Sequence, residues 1–232
     1  MTDKSNEPNR RRWFQFSLRT LLILVTLCAI PFAWIGWEIR QRQREQDTVA
    51  WIEANGGAVE FLDLRERGPW EREFDEWFGE SVQVVHLSNK EVDDVTPLMD
   101  LGNLQRLYLN YTEVSDLSPL AELNELLWLN LHDTQVRNLT PLTDLEKLQE
   151  LYLSNTEVRD LTPLAGLKSL QDLYLINTPV ADLAPLTELK TLKRIYLMDS
   201  QVSDLTPLVG LENLHKLYLV DTLVSDVTPS VR

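Results

Sequence analysis

The sequence predicts an α/β-type repeat solenoid, curved around a parallel concave β-sheet with short 3₁₀ or extended segments on its convex side and preceded by one transmembrane helix. Three observations carry this. Seven prolines, Pro97, Pro119, Pro141, Pro163, Pro185, Pro207 and Pro229, recur every 22 residues without an insertion. Leucines hold fixed offsets within each period, as at Leu101, Leu104, Leu107, Leu109, Leu117 and Leu120. Each unit then supplies one strand and one return segment that cannot bury its apolar side alone, so stacking makes the core. Ahead of the repeats, residues 21–37 carry no charged side chain.

The elements follow in chain order. Residues 1–19 form a basic N-terminus with Lys4, Arg10, Arg11, Arg12 and Arg19. Residues 20–37 approach the length that crosses a hydrocarbon core, and Pro31 is tolerated in such a helix. Trp34 and Trp37 at one end, and Trp13, Phe14 and Phe16 towards the other, suit interfacial belts. A cleaved signal peptide is the competing reading, but the end of the run lacks a paired small-residue cleavage site, since Pro31 stands two positions before Ala33. Five basic residues precede the span, and Arg40, Arg42 and Arg44 follow it closely. The positive-inside rule therefore places the N-terminus in the cytoplasm and the repeats outside it. Residues 38–57 read as a helical stalk ending at Asn55-Gly56-Gly57, a C-cap signal.

Residues 58–81 read as an N-terminal cap region. Ala58 to Leu62 suits a short strand, and Trp70, Phe74, Trp77 and Phe78 share one helical face that would cover the first repeat. Residues 82–232 form about seven repeats, the last incomplete. Their pattern of length and leucine offsets identifies the leucine-rich repeat. The segments Asp116-Leu-Ser-Pro-Leu120 and Asp160-Leu-Thr-Pro-Leu164, followed by Ala121-Glu-Leu123 and Ala165-Gly-Leu167, resemble the 22-residue repeats of the bacterial internalin family. The resemblance covers residues 80 to 230 and implies binding by the concave face. One departure is regular: where that family carries asparagine, this chain carries Thr112, Thr134, Thr156, Thr178, Ser200 and Thr222. A hydroxyl can satisfy a loop backbone group in its place.

Composition narrows the chemistry. The chain has a net charge of −14; residues 1–50 contribute +3, which leaves −17 for the remainder. Nucleic acid as a partner is excluded, because phosphate binding needs clustered lysine and arginine. The single cysteine, Cys28, lies in the apolar run without a neighbouring base. His86, His132 and His215 fall in different rows or repeats and do not converge, so neither catalytic nor metal residues are expected, and no cofactor. Asp94, Asp116, Asn138, Asp160, Asp182, Asp204 and Asp226 recur just before the proline turns, where a side-chain acceptor caps exposed amides. Asn138 serves there without charge, which argues against calcium.

The two-residue period of a strand turns three rows outward onto the concave sheet. The central row is His86, Tyr108, Asn130, Tyr152, Tyr174, Tyr196 and Tyr218. Trp128 stands in the row before it, and Ile176, Met198 and Val220 end the row after it. Tyr108, Trp128, Tyr152, Tyr174, Ile176, Tyr196, Met198, Tyr218 and Val220 are thus the candidate ligand-binding residues, an apolar and aromatic strip of the kind that marks contact sites. The partner expected is a protein or peptide, with a surface glycan as a further option. A scaffold that self-associates through the C-terminal edge, near Leu214, Leu217 and Leu219, is the alternative.

Overall fold

The computed structural model describes residues 18–61 and 81–224; the side chains of residues 18–28, Ile30 and Pro31 fall outside that description. Contacts divide the chain into two units, residues 1–40 and 41–232. One helix, α1, runs from Leu18 to Ala54. In the first unit it presents Phe32, Trp34, Trp37 and Ile39 as exposed large apolar groups. The predicted span 20–37 lies on this helix, with most of its side chains outside the described residues. Among the described residues, no helix is long and apolar enough to cross a membrane.

The second unit is the solenoid. Strand β1 (Ala58–Phe61) pairs antiparallel with β2 (Val82–His86). Six further strands follow, β3 (Arg106–Tyr108), β4 (Trp128–Asn130), β5 (Glu150–Tyr152), β6 (Asp172–Tyr174), β7 (Arg194–Tyr196) and β8 (Lys216–Tyr218). They stack in parallel in sequence order, giving one eight-stranded sheet. Pairing keeps the 22-residue register throughout, so Leu107, Leu129, Leu151, Leu173, Ile195 and Leu217 lie side by side. These residues and the leucines of the return segments form one continuous core, almost all without solvent contact up to Val202.

Each return segment opens with a 3₁₀ turn carrying proline in its first positions, as at Ser118–Leu120 and Thr140–Leu142. The acceptor sits one residue before the helical N-cap and closes an Asx turn. Asp116 Oδ1 accepts the Ser118 N–H at 2.9 Å, Asn138 Oδ1 that of Thr140 at 3.0 Å, and Asp94, Asp160, Asp182 and Asp204 do likewise at 2.8 Å. Asp226 lies outside the described residues. Bonds from the hydroxyl and N–H two residues on hold Asp94, Asp116, Asp160 and Asp204 below the ordinary value of 3.8, as Thr96, Ser118, Thr162 and Thr206 supply them. Their contribution is therefore in place above that pH and is lost as pH falls through the lower, folded-state values.

After each strand the chain turns through one residue with positive φ: Asn89, Tyr111, Asp133, Asn155, Asn177, Asp199 and Asp221. Asparagine and aspartate tolerate this left-handed conformation and bulky side chains do not. Tyr111 is the exception, at φ 60°. Tyr111→Asn should therefore stabilise the fold by about 1 kcal/mol, read as a higher urea midpoint; a lower midpoint would mean that the Tyr111–His132 contact outweighs the strain.

The Thr row bonds locally. Thr112, Thr134, Thr156 and Thr178 each donate Oγ1 to the carbonyl three residues back, at 2.6–2.7 Å. Ser200 occupies the same buried site, yet its hydroxyl has no partner. Ser200→Thr adds the methyl that four neighbouring repeats accommodate and sets the hydroxyl as they set theirs. It should stabilise the protein by about 1 kcal/mol in thermal or urea unfolding; no gain would mean that this turn cannot adopt its neighbours' geometry.

The first end of the solenoid differs from expectation. From Gln41 onward, the segment read as a stalk is a cap. Ile52 is fully buried in the core, with Val49 and Trp51 packed against it. Thr48 Oγ1 donates to the Pro97 carbonyl at 2.9 Å, and Glu45 accepts the Val82 N–H at 2.7 Å. The helix ends in a Schellman turn with Gly56 at φ 70°, the Gly57 N–H reaching the Ile52 carbonyl and the Gly56 N–H that of Glu53. Gly57 admits no side chain, because a Cβ there would lie 2.7 Å from the His86 carbonyl oxygen. The aromatic face at Trp70, Phe74, Trp77 and Phe78 lies outside the described residues.

Candidate functional site: the concave face

Strands of three residues carry only two of the three predicted rows. The third row, from Ser88 to Val220, falls on the turn beyond each strand. The parallel ladder nevertheless continues past it, with N–H groups such as those of Leu109 and Tyr111 bonded to the next repeat.

The aromatic side chains form one ladder. His86 stacks on Tyr108 at 4.4 Å between ring centroids, and Tyr152, Tyr174, Tyr196 and Tyr218 follow one another at 4.1, 4.3 and 4.5 Å with planes within 9°. Asn130 interrupts the tyrosine row in sequence without interrupting the ladder in space. Trp128, from the adjacent row, fills the gap, with its indole 4.0 Å from Tyr108 and 5.0 Å from Tyr152. Asn130 turns to accept the His132 N–H at 3.0 Å. The predicted residues Tyr108, Trp128, Tyr152, Tyr174, Tyr196 and Tyr218 are thus brought together, stacked face to face from Tyr152 to Tyr218 and tilted by 47° and 56° on either side of Trp128.

Stacking limits the exposure expected of the strip. Tyr174, Ile176, Tyr196 and Met198 are half-buried. Tyr218 and Val220 are 39% and 62% exposed, since among the described residues no strand follows β8 to cover them. Burial pushes up the Tyr152 hydroxyl first, and donation to Glu150 adds to it; burial likewise raises Tyr196. These phenols stay neutral at physiological pH.

The row before the tyrosines carries charge that a search for apolar residues passes over. Glu150 Oε2 accepts both the Trp128 indole N–H at 3.0 Å and the Tyr152 hydroxyl at 2.8 Å. Arg194 donates two bonds to Asp172, whose side chain is 5% exposed. That pairing raises the Arg194 guanidinium further. Opposite charges 22 residues apart in one row were the available signal, because the register makes them cross-strand neighbours. Arg106, Tyr108, Leu127, Trp128, Gln149 and Glu150 line a cleft of about 220 Å³.

His86 Nε2 lies 3.1 Å from Glu60, and His132 Nε2 lies 3.1 Å from the Tyr111 hydroxyl. Among the described residues, no three His, Cys, Asp or Glu side chains are grouped to hold a metal ion.

Comparison with known proteins places this geometry. The family model described as Leucine Rich repeats (2 copies) matches residues 146–188. No curated protein matches the sequence. Among solved structures, an internalin (inlF) from Listeria monocytogenes is 30% identical over 59% of this chain and 41% of its own, with a TM-score of 0.58. An internalin C2 from the same organism is 33% identical over 64% of this chain and 75% of its own, with a TM-score of 0.55. A Leptospira interrogans LRR protein is 29% identical over 58% and 36%, also at 0.55. The chain spans less than half the length of the first and third of these.

Proposed function

The chain is a bacterial leucine-rich-repeat protein with internalin-like repeats, and on that premise we propose that it is a membrane-anchored module that binds a protein or peptide partner through its concave face. Domains of this kind generally serve protein–protein interaction. The observation that carries the reading is the unbroken aromatic ladder flanked by Ile176, Met198 and Val220, since tyrosine, tryptophan and methionine are types enriched at contact surfaces. A polypeptide suits it better than a glycan. The stacked rings from Tyr152 to Tyr218 hide their faces from a sugar.

The anchor is supported by the charge-free run 21–37 and by Phe32, Trp34, Trp37 and Ile39, exposed on α1. The excess of basic residues before the run supports a cytoplasmic N-terminus and repeats on the other side. Fusion of a reporter active only outside the cytoplasm after Arg232 tests this; activity of a cytoplasm-dependent reporter at the same place would refute it.

The second reading is a self-associating scaffold. Leu214, Leu217 and Leu219 are only partly buried, and Val220 and Leu223 are exposed, so the last described repeat carries an incompletely covered end. The double substitution Tyr196→Asp and Met198→Asp separates the two. Loss of a crosslinked partner from an unchanged monomer supports recognition, whereas conversion of a dimer to a monomer in sedimentation supports assembly.

A further inference from the structure

The geometry points to a dipolar anchor across the third, fourth and fifth strands of the concave sheet: a partner polypeptide places a Lys or Arg on Glu150 and an Asp or Glu on Arg106, astride the Trp128 indole. This deepens the recognition reading and rests on it. Arg106, Trp128 and Glu150 are successive cross-strand neighbours on β3, β4 and β5 and line one cleft. Both of Glu150's internal donors meet the same oxygen, Oε2, and both are neutral. The carboxylate is therefore fixed in position, with its charge uncompensated and Oε1 unengaged among the described residues.

Arg106 is exposed and has no acidic partner among the described residues. The two charges do not meet, because the β4 strand and its indole stand between them, at two strand spacings or roughly 9.6 Å. Further along the same row the outcome is the opposite. Asp172 and Arg194, on adjacent strands, neutralise each other directly. The row thus closes one charge pair internally and leaves another open across an aromatic wall.

The separation of about 9.6 Å corresponds to roughly three residues of extended chain. The complementary segment therefore carries opposite charges two to four residues apart. Elsewhere the domain is strongly acidic, which favours approach by a segment whose cation leads.

Selection of phage-displayed random dodecapeptides on the detergent-solubilised full chain tests this. The expected result is enrichment of peptides bearing a Lys or Arg and an Asp or Glu at that separation. A synthetic copy of a selected peptide should bind about tenfold more weakly to Glu150→Gln and to Arg106→Gln. Glu150→Gln keeps an acceptor for both Trp128 and Tyr152, and near-ultraviolet circular dichroism should show the ladder unchanged. Peptides without the charge pair, an affinity indifferent to both substitutions, or no selected peptide overturns the anchor. Peptides indifferent to both but lost on Tyr196→Asp with Met198→Asp would leave concave-face recognition standing while removing this site; binding untouched by all four substitutions would remove both.

Discussion

Leu129→Ala is expected to lower unfolding free energy by about 3 kcal/mol, read as a shift of the urea midpoint at constant slope. Leu129 has no solvent contact and lies in register between Leu107 and Leu151, which are equally buried. Its loss leaves a cavity bounded by two repeats whose backbones are tied together by the parallel ladder, so little collapse is available to fill it. The lesion sits beneath Trp128 and Asn130, where the tyrosine row is broken. In a solenoid each repeat contacts only its neighbours, so a central cavity weakens coupling between the two halves as well as the local unit. A cost below about 1 kcal/mol would show that the stack closes around the gap, contrary to the rigid packing described.

Arg194→Met is the second large effect, about 3–4 kcal/mol destabilising. Methionine keeps the stem's packing but removes the fork that satisfies both oxygens of Asp172, leaving a nearly buried carboxylate uncompensated. The pair need not be strongly stabilising for this to hold, because the penalty lies in orphaning one member. Asp172→Asn combined with Arg194→Met should therefore recover most of the loss, with a coupling energy of at least about 1 kcal/mol in a double-mutant cycle. Strict additivity of the two substitutions would mean that Asp172 finds water or another donor and that the row is not a network.

Local chemistry explains why so much was legible beforehand. The 22-residue period, the leucine offsets, the Asx acceptors and the Gly56-Gly57 stop each act within a few residues of themselves, and each appears where its chemistry requires. Even the departure from asparagine is resolved locally at Thr112 and the other threonines of its row, by a hydroxyl bonded three residues back, and fails only at Ser200. The less legible features depend on neighbours distant in sequence. Val49, Trp51 and Ile52 read as the end of a stalk because a helix's apolar residues do not announce what they will cover; contact with the first repeat makes them a cap.

For the site, two of the concave rows were readable from sequence, because strand alternation and a fixed repeat length leave no other register, whereas the third row lies on the turns beyond the strands. What those rows do depends on packing between repeats. It carried Trp128 across into the space left by Asn130, closed Asp172 with Arg194, and left Glu150 and Arg106 apart on either side of an indole. A repeat pattern specifies positions, whereas ring stacking and charge pairing depend on side-chain rotamers and on the width of the neighbour one strand away.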